Sequence, residues 1–249
     1  MTSDDAVLLD VSERIATITI NRPEARNALN RAVRNALPRI VIECEERDDV
    51  DVMILTGADP AFSAGVDLKE FGSGASTAAG EGFAEMGARD AKGNMPWRGA
   101  LPPHTKLLIG AVNGVAVTGG FEIALNCDFL IASERARFAD THARVGIMPG
   151  WGLTVLLAQR IGVARARQMS VTGNFLDAHR AFEWGLVNEV VAHDELLPRC
   201  RQLAADCITI DQRAVRRMLA TYREVSDTTV NEGWRIEGRV SREIGRAHV

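Results

Sequence analysis

Four short runs of β-branched and apolar residues, Ile15 to Ile20, Val50 to Leu55, Leu107 to Val112 and Phe129 to Ala132, recur along the chain with longer stretches of helical apolar spacing between them. Strand-length runs alternating with helical periodicity predict an α/β fold. At 249 residues and 46% hydrophobic content, the chain is long enough for one large domain, or a main domain with a small appendage, around a sizeable core.

The first helix is expected from about Asn30, a good N-cap, with Val33, Leu37, Ile40, Val41 and Cys44 on one face; Pro38 inside that pattern predicts a kink or break. Between Gly72 and Pro103 the composition turns to Gly, Ala and Ser, which fits either a surface insertion or a flap over an apolar substrate tail. From Asp194 onward strand signals vanish. Leu196, Leu197, Cys200, Leu203, Ala204 and Cys207, then Val215, Met218, Leu219 and Tyr222, predict an all-helical C-terminal quarter.

A formal charge of -4 supplies no general basic field, so binding to nucleic acid or an anionic membrane is not expected and phosphate recognition has to be local. No run of about 18 apolar residues is present to span a bilayer, and the opening Met1-Thr2-Ser3-Asp4-Asp5 is not a basic lead into an apolar segment; a cytoplasmic protein is expected. Cys44, Cys127, Cys200 and Cys207 form no CxxC pair and are expected to be reduced, buried thiols. The five histidines lack HExxH or similar spacing, and no metal is expected.

Two glycine-bearing segments each follow a strand and open a helix, where unpaired N–H groups and the helix dipole favour negative charge. They are Ala61 to Glu70 and Asn113 to Glu122, the second running into Ile123-Ala124-Leu125. Together they are able to aim two backbone donors at one oxygen. Losing one donor of such an oxyanion hole costs on the order of 3 kcal/mol of transition-state stabilisation. Neither segment matches GxGxxG or GxxxxGK[ST], and no GxSxG elbow or Ser-His-Asp arrangement points to a serine hydrolase.

Taken in order with Asn21 to Asn30, Asn126-Cys127-Asp128, Val145 to Gly150 and Ala181 to Val187, these segments resemble the crotonase, or enoyl-CoA hydratase/isomerase, family from about Val7 to at least Val191. The resemblance implies a spiral of β-β-α repeats with an acyl-CoA site over residues 1–193 and a helical region over 194–249 used in oligomer contacts, commonly as a trimer or dimer of trimers. It also implies backbone oxyanion donors at Val66 and Gly119, with Ala64, Asp67, Leu68 and Lys69 along the coenzyme A path. The Arg22 to Asn27 segment, with Ala25, falls near the nucleotide end of coenzyme A. Arg22 and Arg26 either offer charge to its phosphates or sit on a solvated turn.

Glu122 falls on one of the two glutamates with which hydratases of this family hold and activate water. At the second position stands His142. Histidine titrates near neutral pH and is able to replace the missing carboxylate, with Asp140 as an orienting group; alternatively it is a neutral pocket-lining residue. Gly150 stands where the family's aryl-CoA dehalogenases carry a nucleophilic aspartate, which disfavours that branch. The chain also stops at Arg246-Ala247-His248-Val249, short of the family's usual final helix. The resemblance thus implies hydration of a trans-2-enoyl-CoA without a separate cofactor, with a 3-enoyl to 2-enoyl-CoA isomerase or a weakly catalytic acyl-CoA-binding protein as rivals.

Overall fold

The computed structural model describes residues 6–67, 70 and 99–245. It opens with an antiparallel hairpin of β1 (Val7–Ser12) and β2 (Ile15–Ile20), paired from Val7↔Ile20 to Ser12↔Ile15. Glu13 and Arg14 at the turn both have positive φ, the geometry that lets a two-residue loop follow the strands' right-handed twist.

β2, β3 (Val52–Gly57), β5 (Leu107–Val112), β7 (Phe129–Ser133) and β10 (Glu189–Val191) then pair in parallel, giving the six-stranded order β1-β2-β3-β5-β7-β10. β3 and β5 are buried along their whole length, as parallel strands covered on both faces must be. A second sheet has the order β4-β6-β8-β9, from β4 (Ala61–Ser63), β6 (Val115–Val117), β8 (Arg137–Ala139) and β9 (Leu176–Asp177). Each turn of the spiral therefore sends one strand to the large sheet and the next to the small one: β3 then β4, β5 then β6, β7 then β8. This is the α/β spiral of β-β-α repeats that the sequence pattern and resemblance predict.

Helix α1 (Arg31–Glu46) begins where expected, with the Asn30 side chain accepting the Val33 N–H at 3.0 Å. The helix runs through Pro38 without the break that was one of the two expected outcomes. Pro38 is buried with Val33, Leu37, Val41 and Cys44, so core packing offsets the lost helix bond, and Arg39 Nε donates to the nearby Asn35 carbonyl at 3.2 Å.

Next come α2 (Gly119–Leu125), α3 (Leu153–Ile161), α4 (Val163–Thr172) and α5 (Ala178–Glu183). The C-terminal segment is helical, as α6 (Leu196–Ile208), α7 (Gln212–Ser226) and α8 (Val230–Gly245). Leu196, Cys200 and Ala204 of α6 pack with Ile15, Val52, Ile54 and Ile109, closing the outer face of the large sheet. The larger core, including Ile18, Leu55, Phe62, Phe121 and Phe138, lies on its other face. Most of the Gly72 to Pro103 segment lies outside the described residues; at its end Ala100 and Leu101 enter this core. All four cysteines are free thiols, Cys207 half-buried and the others buried.

Candidate active site

The small sheet assembles the site. β4, β6 and β8 are mutually parallel neighbours, so the segments leaving their C-terminal ends emerge side by side, the usual location of a site in a parallel sheet. β4 leads into Gly65 and Val66, β6 into Thr118 and α2 with Gly119 and Glu122, and β8 into Asp140 and His142.

The first two segments interlock through glycines. A β-carbon on Gly65 would fall on the Thr118 side chain, and one on Gly120 would lie 2.5 Å from the Ser63 carbonyl oxygen. Only glycine permits backbones this close, and Gly65 also requires its positive φ of 78°. Thr118 itself is held at φ 46° and ψ -125°, a region L residues avoid, which turns the chain so that α2 starts against β4. Val66 and Gly119, each one residue past this contact, have backbone N–H groups without an acceptor among the described residues. The Leu29 N–H donates to Gly65 O at 2.7 Å and bridges the first loop to the start of α1, while the Gly119 donor sits on the dipole-positive end of α2.

One turn into α2, Glu122 is fully buried. Its Oε1 accepts the Trp151 N–H at 2.7 Å and the Leu153 N–H at 3.4 Å, which leaves Oε2 for other business. Asn126 steadies the same corner, its Nδ2 donating to Glu122 O and to Trp151 O. Oε2 lies 3.3 Å from His142 Nε2, close enough for an ion pair but not aligned as a hydrogen bond, so both buried atoms lack a hydrogen-bond partner. On its far side the imidazole is held firmly, Nδ1 lying 2.7 Å from Asp140 Oδ1, which also accepts the His142 backbone N–H at 3.1 Å.

Burial opposes a charge on His142, yet the Asp140 bond and the two flanking carboxylates outweigh it, and the imidazole is pushed up to about 9. Burial likewise opposes ionisation of Asp140, but hydrogen bonds from His142 and Ser170 hold it below the usual carboxylate range. The surroundings of the imidazole therefore favour its charged form over the neutral one.

A family model described as enoyl-CoA hydratase/isomerase matches residues 10–247. The chain belongs to the enoyl-CoA hydratase/isomerase family. Among its relatives, a probable peroxisomal enoyl-CoA hydratase of Arabidopsis thaliana is 36% identical, with 94% of this chain and 82% of that protein covered. A crotonyl-CoA hydratase of Syntrophomonas wolfei is 34% identical over 93% of this chain and 86% of its own length. The crystal structure of an enoyl-CoA hydratase from Mycobacterium tuberculosis H37Rv superposes with a TM-score of 0.79 at 46% identity, covering 96% of this chain and 98% of that one.

In this family member the other expected site residues divide. Arg22 donates to the Ala28 carbonyl at 2.6 Å and to Asp67 Oδ2 at 3.0 Å, so both ends of the pair act as a strut between the two loops. Arg26 is exposed, with its carbonyl accepting the Ala64 N–H at 2.9 Å; Ala25 and Ala64 are half-buried nearby. Leu68 and Lys69 lie outside the described residues.

Sequence reading missed the Trp151 and Leu153 N–H donors, because a backbone donor carries no side-chain signature. It also missed Asn27, fully buried at φ 56°, whose side chain ties the Arg22 loop to Ala58 and Ala61. A Ser-His-Asp chain unforeseen in the sequence does exist elsewhere: His193 Nδ1 meets Ser133 Oγ at 3.0 Å and Nε2 meets Asp59 Oδ2 at 2.9 Å. Ser133 is fully buried and accepts the Arg135 N–H, so the chain is a tie between loops with no accessible nucleophile.

Proposed function

We propose that the protein is an enoyl-CoA hydratase that adds water to a trans-2-enoyl-CoA to give a 3-hydroxyacyl-CoA. The observation that carries this reading is the buried Glu122–His142 pair, Oε2 and Nε2 3.3 Å apart, on segments that leave the small sheet next to the glycine loop ending at Val66. The thioester oxygen sits between the N–H groups of Val66 and Gly119, which stabilise the enolate oxygen as it forms. Glu122 takes a proton from water as the water oxygen bonds to C3, and a proton then reaches C2 as the enolate collapses. Coenzyme A enters as part of the substrate and no separate cofactor or metal takes part.

Arg26, Ala25 and Ala64 with Asp67, Leu68 and Lys69 are assigned to the coenzyme A path, with Arg26 exposed and Arg22 holding Asp67 in place. A 3-enoyl to 2-enoyl-CoA isomerase needs one base only. Two proton carriers 3.3 Å apart favour the hydratase over that rival and over a non-catalytic acyl-CoA binder. No helix among the described residues is long and apolar enough to cross a membrane, and a cytoplasmic homo-oligomer, a trimer or dimer of trimers, is the assembly we assign. Exposed Met218 and Tyr222 on α7 and Trp234 on α8 supply an apolar face for it.

Loss of the conjugated enoyl-thioester absorbance of crotonyl-CoA tests the activity. Rapid loss that Glu122→Gln abolishes supports hydration. Absence of loss with short and longer enoyl-CoAs overturns it, and product analysis with a 3-enoyl-CoA then detects the isomerase.

A further inference from the structure

Building on the hydratase reading, we infer that Asp140 is a positioning residue that turns His142 Nε2 to Glu122, making the three residues a self-resetting proton relay in which an imidazolium delivers the α-proton. The geometry is over-determined at both ends. Asp140 Oδ1 takes both the backbone N–H and Nδ1 of His142, which leaves only Nε2 of the ring to face the site. Trp151 and Leu153 hold Oε1 of Glu122, which leaves only Oε2. These two remaining atoms are the ones 3.3 Å apart, and both are buried without a hydrogen-bond partner.

The proton count closes within the pair. Oε2 of Glu122 accepts one proton of the attacking water while the hydroxyl oxygen bonds to C3 and the π pair of the double bond passes into the enolate. The enolate carbon C2 then takes the proton from Nε2 of His142, and the thioester carbonyl re-forms. This leaves a protonated Glu122 facing a neutral imidazole, and transfer from Oε2 to Nε2 across their contact restores the starting state. The side chains of all three residues are at most 4% exposed, so the reset does not depend on a proton from bulk solvent.

Charged neighbours support the assignment. Glu122 faces the ring from α2 and Asp140 from its own loop. Arg144, two residues further on, is turned away, donating to Thr172 O and Asn174 Oδ1. No cation therefore competes with His142 for the two carboxyl groups among the described residues around it. Without Asp140, the ring loses both its orientation and the anion that keeps it protonated.

The test is the pH profile of kcat/KM and kcat on crotonyl-CoA for wild type, Asp140→Asn, Asp140→Glu and His142→Gln, with the His142 imidazole followed by NMR titration in the unliganded proteins. Asp140→Asn is expected to lower kcat by roughly 10²-fold at pH 8 with a small change in KM, and to move the alkaline limb down by about one pH unit or more. Asp140→Glu is expected to restore part of that limb. A fall in kcat with an unmoved limb and an unmoved imidazole titration would mean a merely structural Asp140 and overturn the relay. If Glu122→Gln is inactive while Asp140→Asn keeps the wild-type profile, the relay falls and the hydratase reading stands. If the wild type hydrates nothing, that reading falls, and the imidazole titration still decides whether Asp140 governs His142. Should Asp140→Asn not fold, His142→Gln is decisive: the alkaline limb must vanish, and its persistence overturns the proposal.

Discussion

Gly65 packs so closely on Thr118 that a β-carbon on the glycine would coincide with the threonine side chain, and this contact is what draws the two proposed oxyanion donors, one residue further along each loop, to one place. Gly65→Ala has to separate the loops and also strain a positive φ. A donor displaced by about 1 Å can cost on the order of 10²-fold. Steady-state kinetics with crotonyl-CoA should show that loss mainly in kcat, whereas near-wild-type turnover would place the oxyanion donors elsewhere.

Asn27 acts on the same loop from behind. Its Nδ2 donates to Ala58 O and Ala61 O at 2.7 and 2.6 Å, its Oδ1 accepts the Arg22 N–H, and its carbonyl accepts from Ser63 Oγ. Asn27→Ala is expected to cost about 2–4 kcal/mol in urea unfolding and to lower kcat/KM, because several buried groups lose partners at once. Unchanged stability would contradict its role as the keystone of the loop.

His142 also makes stability depend on pH. Its folded pKa, about 9, is raised above the ordinary 6.5, so its contribution is fully present below pH 6.5 and lost as pH rises through 9. The decline it causes is at most on the order of 3 kcal/mol. Asp140, depressed, works in the opposite sense, its contribution being lost only as pH falls through its lowered folded value. Thermal unfolding of wild type should weaken between pH 6.5 and 9, and His142→Gln should flatten that slope; parallel slopes would refute the charged imidazole.

Lys106 offers a control remote from the chemistry. Buried at 1% exposure, its Nζ donates to Cys44 O and Arg47 O at 2.7 and 2.6 Å and so closes the C-terminal end of α1. Lys106→Met should cost about 1–3 kcal/mol through the unpaired carbonyls while leaving kcat unchanged. A catalytic defect greater than the loss of folded protein would mean that α1 transmits strain to the site.

Much of the framework was legible in the order of residues. The runs at Ile15, Leu107 and Phe129 became β2, β5 and β7 with bounds within a residue, since β-branched runs flanked by helical spacing have few other ways to bury themselves. Asn30 capped α1 as expected because an N-cap is a local bond. At Pro38 the helix does not break, because the local cost was outweighed by long-range packing that periodicity does not weigh.

The sequence by itself determined the α/β alternation, the helical C-terminal quarter and the two glycine loops. These are local properties of backbone freedom and hydrophobic period, written within a few residues of each other. Only the tertiary structure decided that Arg22 is spent on Asp67, that Trp151 and Leu153 hold Glu122, and that His142 lies between two carboxyl groups. A charge state is a sum over neighbours in space, and here those neighbours arrive from adjacent strands of the small sheet whose pairing the chain order does not display.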